Sequence, residues 1–215
     1  MTTLSEERSK ELLRPFGVPF LPEWSVTSAD EVAASIGDID GPIAAKLCGA
    51  SIAHKSERGL LRLGVVGVPA VERAVDELLA AGRPEDGVTG VLLAPMVGGL
   101  REFLVGTSMD PVFGPTITVG VGGVLAEAIA DVAVRIMPID RFDALDMLAS
   151  LRTSALLGAF RGEPPVDLDA MVDLLLAVAA ASSSIDGLES IDLNPVRIVD
   201  GRPIALDALV EVRGA

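Results

Sequence analysis

The sequence predicts an α/β (α+β) fold in which β-sheets are covered by helices, and three observations carry that expectation. Stretches with a helical apolar period alternate with short β-rich runs along the whole chain. Half of the 215 residues are apolar, enough to build a sizeable core in one domain or two joined subdomains. Gly, Pro and Asp-Gly signals separate the later β-rich runs, which suits antiparallel pairing.

Thr3 and Glu6 have capping-box spacing ahead of SKELL, and Gly17 can close that segment with a left-handed cap, so residues 5–15 read as the first helix. Ser28 and Glu31 repeat the spacing before DEVAASIG, which runs to Gly37. GPIAAKL then reads as a buried strand that delivers Lys46 at its end, and LRLGVV as a second strand. PAVERAVDELLAAG is a helix with Pro69 in its first turn and Gly82 beyond its last. The polar, turn-rich GRPEDG places a boundary between subdomains 1–85 and 86–215. Beyond it, VTGVLLAPMV, REFLVGTSMD and FGPTITVGV form an antiparallel sheet, followed by helices around 140–157 and 167–181. The last element, IDLNPVRIV-DG-RPIALDALVEV, is a hairpin turning at Asp200-Gly201.

Charge and composition exclude several functions. Seventeen basic against thirty-one acidic residues give a net charge of -14, which repels nucleic acid and anionic lipid alike. The single cysteine, Cys48, can form neither an internal disulfide nor a thiolate metal site. The charged start MTTLSEERSKELLR lacks the apolar core of a signal peptide, so a cytoplasmic location is expected. No apolar run approaches the roughly 20 residues that cross a bilayer, so no membrane segment is expected.

The hairpin yields a testable register. With Asp200 and Gly201 as the two loop residues, Val199 lies opposite Arg202 and, counting outward, Asn194 lies opposite Asp207. Directly opposed residues have Cβ atoms about 4.5–5.5 Å apart, close enough for an amide oxygen and a carboxylate to share one divalent cation. Mg²⁺ is the natural candidate. The alternative is an Asn before Pro195 acting as a turn former, beside a solvated Asp.

KLCGASIAHKSERG holds the only histidine, His54. A lysine, a small-residue loop and a His-Lys-Ser run could bring a cation, backbone N–H groups and a nucleophilic imidazole to a polyphosphate, although no phosphate-binding G-x-x-x-x-G-K-[ST] motif is present. MVGGLREFLVG and VGVGGVLAE could let backbone approach a ligand or could be tight turns. Arg161, in GAFRGEPP, could bind phosphate or tie down a loop.

In their order along the chain these segments are more specific than any one of them. LSEERSKELL with GVP, KLCGASIAHKSERG, GVLLAPMV, GGLREFLVGTSMDPVFGP, VGVGGVLAEAIADVAVRIMP, LLGAFRGEPPVDLDA and IDLNPVRIVDGRPIALDA span nearly all of the sequence. So ordered, the chain resembles the ATP-grasp, nucleotide-binding (beta) subunit of NDP-forming acyl-CoA synthetases. This group includes ADP-forming acetate–CoA ligase and is related to the succinyl-CoA synthetase beta chain. The resemblance implies an ATP-grasp fold of two subdomains, each a β-sheet covered by helices, clasping ATP or ADP with Mg²⁺.

It also implies roles for particular residues. Lys46 matches the lysine that contacts nucleotide phosphate, and Leu93, Ala94, Pro95, Met96 and Val97 match the connector whose backbone faces adenine. Glu102 lies in a matching motif on the nucleotide side. Asn194 and Asp207 match the Mg²⁺–nucleotide ligands, in agreement with the hairpin register. His54 matches a phosphorylatable histidine that relays a phosphoryl group between a histidine of a CoA-binding (alpha-type) partner subunit and ADP. Lys55, Ser56, Gly59, Glu127, Asp131, Arg135 and Arg161 are expected to line the site.

Two departures qualify the resemblance. Where many relatives carry Gly-Gly after the His-Lys-Ser segment, this chain carries Gly59-Leu60, and a leucine would restrict backbone that approaches phosphates. No CoA-binding segment is present either, so CoA is expected on the partner and ligase activity only in a hetero-oligomer. The competing expectation is a degenerate ATP-grasp module that binds or regulates without turnover.

Overall fold

A computed structural model describes residues 1–37, 41–49, 52, 58–123 and 129–213. The chain forms two compact units: a smaller one, Leu21–Val97, and a larger one made of Met1–Phe20 and Gly98–Ala215. The expected boundary at 85/86 therefore falls inside the smaller unit. GRPEDG is a 3₁₀ turn, Pro84–Asp86, leading into a strand that pairs with its own unit.

The smaller unit is a four-stranded antiparallel sheet in the order β2-β5-β3-β4, formed by β2 (Trp24–Val26), β3 (Ile43–Gly49), β4 (Leu61–Val65) and β5 (Val88–Pro95). One face of the sheet packs on α2 (Val32–Ile36) and α3 (Val68–Ala81), with Ile43, Ala45, Leu47, Val91 and Leu93 meeting Val71, Val75 and Leu78. Pro69 in the first turn of α3 and Gly82 at its end bound this helix as expected. The segment expected to be one helix from Ser28 splits into a 3₁₀ turn, Ala29–Glu31, and the short α2. The Glu31 carboxylate accepts from Thr27 N–H rather than closing a box with Ser28.

The larger unit has a seven-stranded antiparallel sheet. Its path runs β1 (Thr2–Thr3), β11 (Leu209–Val212), β9 (Leu188–Val199), β6 (Glu102–Asp110), β7 (Gly114–Val121) and β8 (Val132–Ile136), and β10 (Arg202–Ala205) pairs with β9. Among the described residues this unit carries the helices α1 (Glu6–Leu13), α4 (Arg141–Ser150) and α5 (Leu168–Ser184). Asp140 and Asp167 cap the N-termini of α4 and α5 through backbone N–H groups, which explains where these helices begin. Phe103, Val105, Ile117, Val119, Ile191 and Leu193 turn toward Met147, Leu148, Val172 and Leu175, so one face of the sheet is covered by helices. The expected cap at Thr3 is replaced by Ser5, because Thr3 is drawn into β1 opposite Glu211. Gly17, at φ 95, closes the turn after α1 as expected.

Candidate functional site

The larger unit brings together three oxygen-bearing side chains on the sheet face opposite the helices. Val199 pairs with Arg202 and Val196 with Ala205, so Asp200-Gly201 is the two-residue loop that the sequence predicts. The same count continues past β10, since Leu206 donates to Pro195 O at 3.0 Å and Leu209 pairs with Asp192. Asn194 is thereby opposite Asp207. Along β9, Ile191 and Leu193 enter the core while Asp192 and Asn194 are exposed, so Asp192 shares the face of the Asn194–Asp207 pair.

The electrostatics of this cluster suit a cation. The Asp192 carboxyl is pushed above its ordinary range, first by displacement of water around it and second by the Asp207 carboxylate. On the strand next to Asp192 stands Gly106, so the β6 residue directly opposite brings no side chain against this carboxylate. Asn194 Oδ1 accepts from Gly123 N–H at 3.2 Å and keeps a second lone pair. Asp207 Oδ1 accepts from Ala208 N–H at 2.9 Å. Among the described residues no group of three or more His, Cys, Asp and Glu side chains forms a closed metal cage. Two or three hard oxygens with waters and phosphates completing the shell is instead how Mg²⁺ is usually held, and the donor set fits that ion.

Glu102 borders this cluster. It begins β6 and pairs with Arg197 across β9, with Arg197 Nε 3.1 Å from its Oε1. A Cβ built at Gly123, whose φ is +71, would lie 1.9 Å from Glu102 Oε2, and one at Gly122 would lie 2.2 Å from Phe103 O. These glycines therefore serve close packing of backbone and carboxylate, so the VGVGG run has a structural reason as well as a place beside Asn194.

In the smaller unit Lys46 lies in the middle of β3 rather than at its end, opposite Leu61 and Leu92 and on the face away from the apolar core. The connector is split in its use. Leu93 is fully buried against the helices, and Met96 N–H is already donated to Pro42 O at 2.8 Å, so neither that side chain nor that N–H is available to a base. Ala94 pairs with Ala44, Pro95 carries no N–H, and Val97 ends the unit.

Residues 1–212 match the ATP-grasp domain family. The chain belongs to the ATP-grasp family. This ATP-grasp chain is 32% identical over 209 residues to the acetate–CoA ligase (ADP-forming) I subunit beta of Pyrococcus furiosus, covering 95% of this chain and 90% of that one. It is similar to the structure of Ca. Korarchaeum cryptofilum dinucleotide forming acetyl-coenzyme A synthetase 1 in complex with coenzyme A, Ca-AMPCP and HgCl⁺. That match has a TM-score of 0.91 at 27% identity, covering 99% and 94% of the two chains. The same synthetase with coenzyme A and Mg-AMPPCP, its phosphohistidine segment pointing towards the nucleotide binding site, gives a TM-score of 0.85 at 26% identity over 99% and 93%.

Other expected site residues of the ATP-grasp chain have local structural work. Asp131 is buried and accepts from Thr153 Oγ1, Thr153 N–H at 2.8 Å and Arg152 N–H at 3.1 Å, ties that hold its pKa down at about 2. Arg135 alternates with Val134 on β8 and reaches Asp146 of α4, which puts it on the helix-covered face, opposite Asp192 and Asn194. Arg161 stands at the tip of a two-residue turn in which Phe160 and Glu163 pair, with φ 47 and a guanidinium 5.5 Å from the Phe160 ring centroid. Gly59, at φ +67, forms the turn before β4. His54, Lys55, Ser56 and Glu127 lie outside the described residues.

The leucine at 60 does not point where the sequence comparison suggested. It is 2% exposed and packs in the core of the smaller unit, and its carbonyl accepts from Leu47 N–H at 3.0 Å. Next to it, Arg58 forms a two-bond fork with Asp86, both bonds 2.8 Å, and this pair with Arg83 N–H holds the Asp86 pKa down at about 2. Sequence reasoning missed Arg58, Asp192 and Arg101. Arg101 is 2% exposed and binds Glu163 and the carbonyls of Leu156, Gly158 and Pro164, stapling the Arg161 turn to the start of β6. The alternation Ile191-Asp-Leu-Asn in β9 was the available signal for Asp192.

Proposed function

We propose that this chain is the nucleotide-binding subunit of an ADP-forming acyl-CoA synthetase, an acid–CoA ligase that turns over together with a separate CoA-binding subunit. The observation that carries the reading is the Asn194–Asp207 oxygen pair with Asp192 on an exposed sheet face, in a chain that aligns over nearly its full length with a beta subunit. Asn194 and Asp207 hold Mg²⁺, which when bound offsets phosphate charge during transfer. Asp192 adds a second carboxylate, its pKa raised first by displacement of water and second by the neighbouring Asp207 carboxylate. Lys46 neutralises nucleotide phosphate, and within the larger unit the Glu102–Arg197 pair fixes the strand beside the metal ligands.

His54 carries the phosphoryl group. A neutral imidazole, with an ordinary pKa of about 6.5, is nucleophilic at neutral pH. The P–N bond to the partner's phosphohistidine breaks as a P–N bond to His54 forms. That bond in turn breaks as a P–O bond to the terminal phosphate of ADP forms. The reverse sequence consumes ATP.

The test is reconstitution with a CoA-binding partner subunit and γ-labelled ATP. Label is expected on this chain in the wild-type complex and is expected to be absent from the His54→Asn variant. Equal labelling of the two would overturn the relay. Failure of the wild-type chain to bind ADP in the presence of Mg²⁺ would replace it with a binding module that does not turn over.

A further inference from the structure

A buried polar cluster that the site does not use lies on α1. Glu6 and Lys10 form an ion pair at 2.8 Å with side chains 1% and 2% exposed, and Ser9 between them is fully buried. These side chains meet the segment that carries Asp207. Lys10 Nζ donates to Leu206 O at 3.0 Å, the residue before Asp207. Ser9 Oγ accepts from Val210 N–H at 3.1 Å, and Leu4 N–H donates to Val210 O at 2.9 Å.

That segment needs outside support because it joins two strands. β10 ends at Ala205 and β11 begins at Leu209, and opposite them the β9 strand shifts its pairing with β6 between Val105 and Phe103. Core-facing positions pass from Ala205 to Ala208 on one strand and from Leu193 to Val196 on the other, so both carry an irregularity where Asn194 and Asp207 face each other. An oxygen pair placed at a double irregularity is held by whatever fixes the backbone on either side of it.

We infer that the Glu6–Lys10 pair, with Ser9, is a positioning device for the Mg²⁺ ligand Asp207. A buried ion pair is weak evidence for stability, since apolar residues of similar volume commonly replace one with no loss or with a gain. What the ammonium supplies that a methionine cannot is a directed hydrogen bond to Leu206 O. The carboxylate of Glu6 makes a charged group tolerable at that depth. α1 thereby sets the height of Asp207 above the sheet against Asn194.

The inference rests on the reading of Asp207 as a metal ligand, and the experiment separates the two. Mg²⁺ is titrated into the full chain in the presence of ADP by calorimetry, alongside thermal unfolding, for wild type, Asp207→Asn, the Glu6→Leu/Lys10→Met double variant and Lys10→Gln. Asp207→Asn is expected to raise the Mg²⁺ concentration for half-saturation at least tenfold; no change there sinks the metal reading. The double variant is expected to keep its unfolding midpoint within a few degrees yet raise that concentration about tenfold, with ADP affinity in the absence of Mg²⁺ unchanged. Lys10→Gln, which retains a donor toward Leu206 O, is expected to recover most of the loss. An unchanged Mg²⁺ requirement in a folded double variant, while Asp207→Asn does shift it, overturns the positioning role. If the double variant does not fold, Ser9→Ala provides the same decision: a severalfold rise is expected, and no rise refutes the inference.

Discussion

Leu60 offers the sharpest prediction, because the sequence and the structure assign it opposite consequences. Its side chain lies in the core of the smaller unit at 2% exposure, so truncation removes packing there rather than an obstruction near phosphate. Leu60→Ala deletes three carbons. At about 0.8 kcal/mol per buried methylene the lost transfer energy is roughly 2.4 kcal/mol. A residual cavity of about 40 Å³, at about 24 cal/mol per Å³, adds roughly 1 kcal/mol. The expected loss of about 3 kcal/mol is a large share of the 5–15 kcal/mol that folded domains typically hold. Urea unfolding followed by circular dichroism measures it, and calorimetry with ADP and Mg²⁺ at low temperature measures binding in the folded variant. Binding is expected to stay within about twofold of wild type, and Leu60→Gly, which restores the Gly-Gly of many relatives, is expected to be no tighter. A Leu60→Ala chain with unchanged unfolding and ADP affinity raised tenfold would refute the reasoning.

Two further predictions concern acid and charge. Asp86 and Asp131 both titrate near 2 in the folded chain against an ordinary 3.8, Asp86 through Arg58 and Asp131 through Thr153. Depressed folded values make their contribution complete above the ordinary range and lost as pH falls from about 4 toward 2. Urea midpoints measured against pH should therefore fall less steeply in this window for an Asp86→Asn/Asp131→Asn chain than for wild type; parallel curves would show that neither carboxylate is linked to folding. Asp192 has the opposite sign: its folded pKa is raised, so the folded state gains relative stability as pH falls through that value and carries a cost above it. Asp192→Asn should raise the unfolding midpoint of the metal-free chain at pH 7.5 but not at pH 3, and a lowered midpoint at pH 7.5 would contradict the cost that desolvation, and after it Asp207, places on this carboxylate.

The elements most legible in the sequence were those fixed by local chemistry. Asp-Gly set the hairpin and with it the opposition of Asn194 and Asp207, and Pro69 and Gly82 set the ends of α3. Non-local contacts decided what was not legible. Thr3 could not cap α1 because Val212 and Glu211 recruit Thr2 and Thr3 into a strand from the far end of the chain. GRPEDG looked like a boundary because its composition is that of a linker, yet β5 closes the smaller sheet by pairing with both β2 and β3. Turn chemistry reports that the chain reverses direction; it does not report which sheet receives the next strand.

The same distinction sorts the charged residues of the site. Arg135 and Asp192 look alike in sequence, each a charge flanked by apolar residues in a β-rich run, and both sit on strands of one sheet. Side chains on a strand alternate between faces, so parity against the core decides which charge is available to a ligand. Ala133 is buried beside Arg135, which reaches Asp146 on α4, whereas Ile191 and Leu193 are buried on either side of Asp192 and leave it exposed. Parity is readable from apolar alternation in the middle of a strand but is lost at an irregularity, and the Asn194–Asp207 pair sits at one. Asn194 keeps the parity of Asp192, and Val196 resumes the core one residue late. A side chain placed at such a step is not oriented by the ladder alone, and α1 ties the backbone on either side of Asp207 through Leu206 O and Val210 N–H.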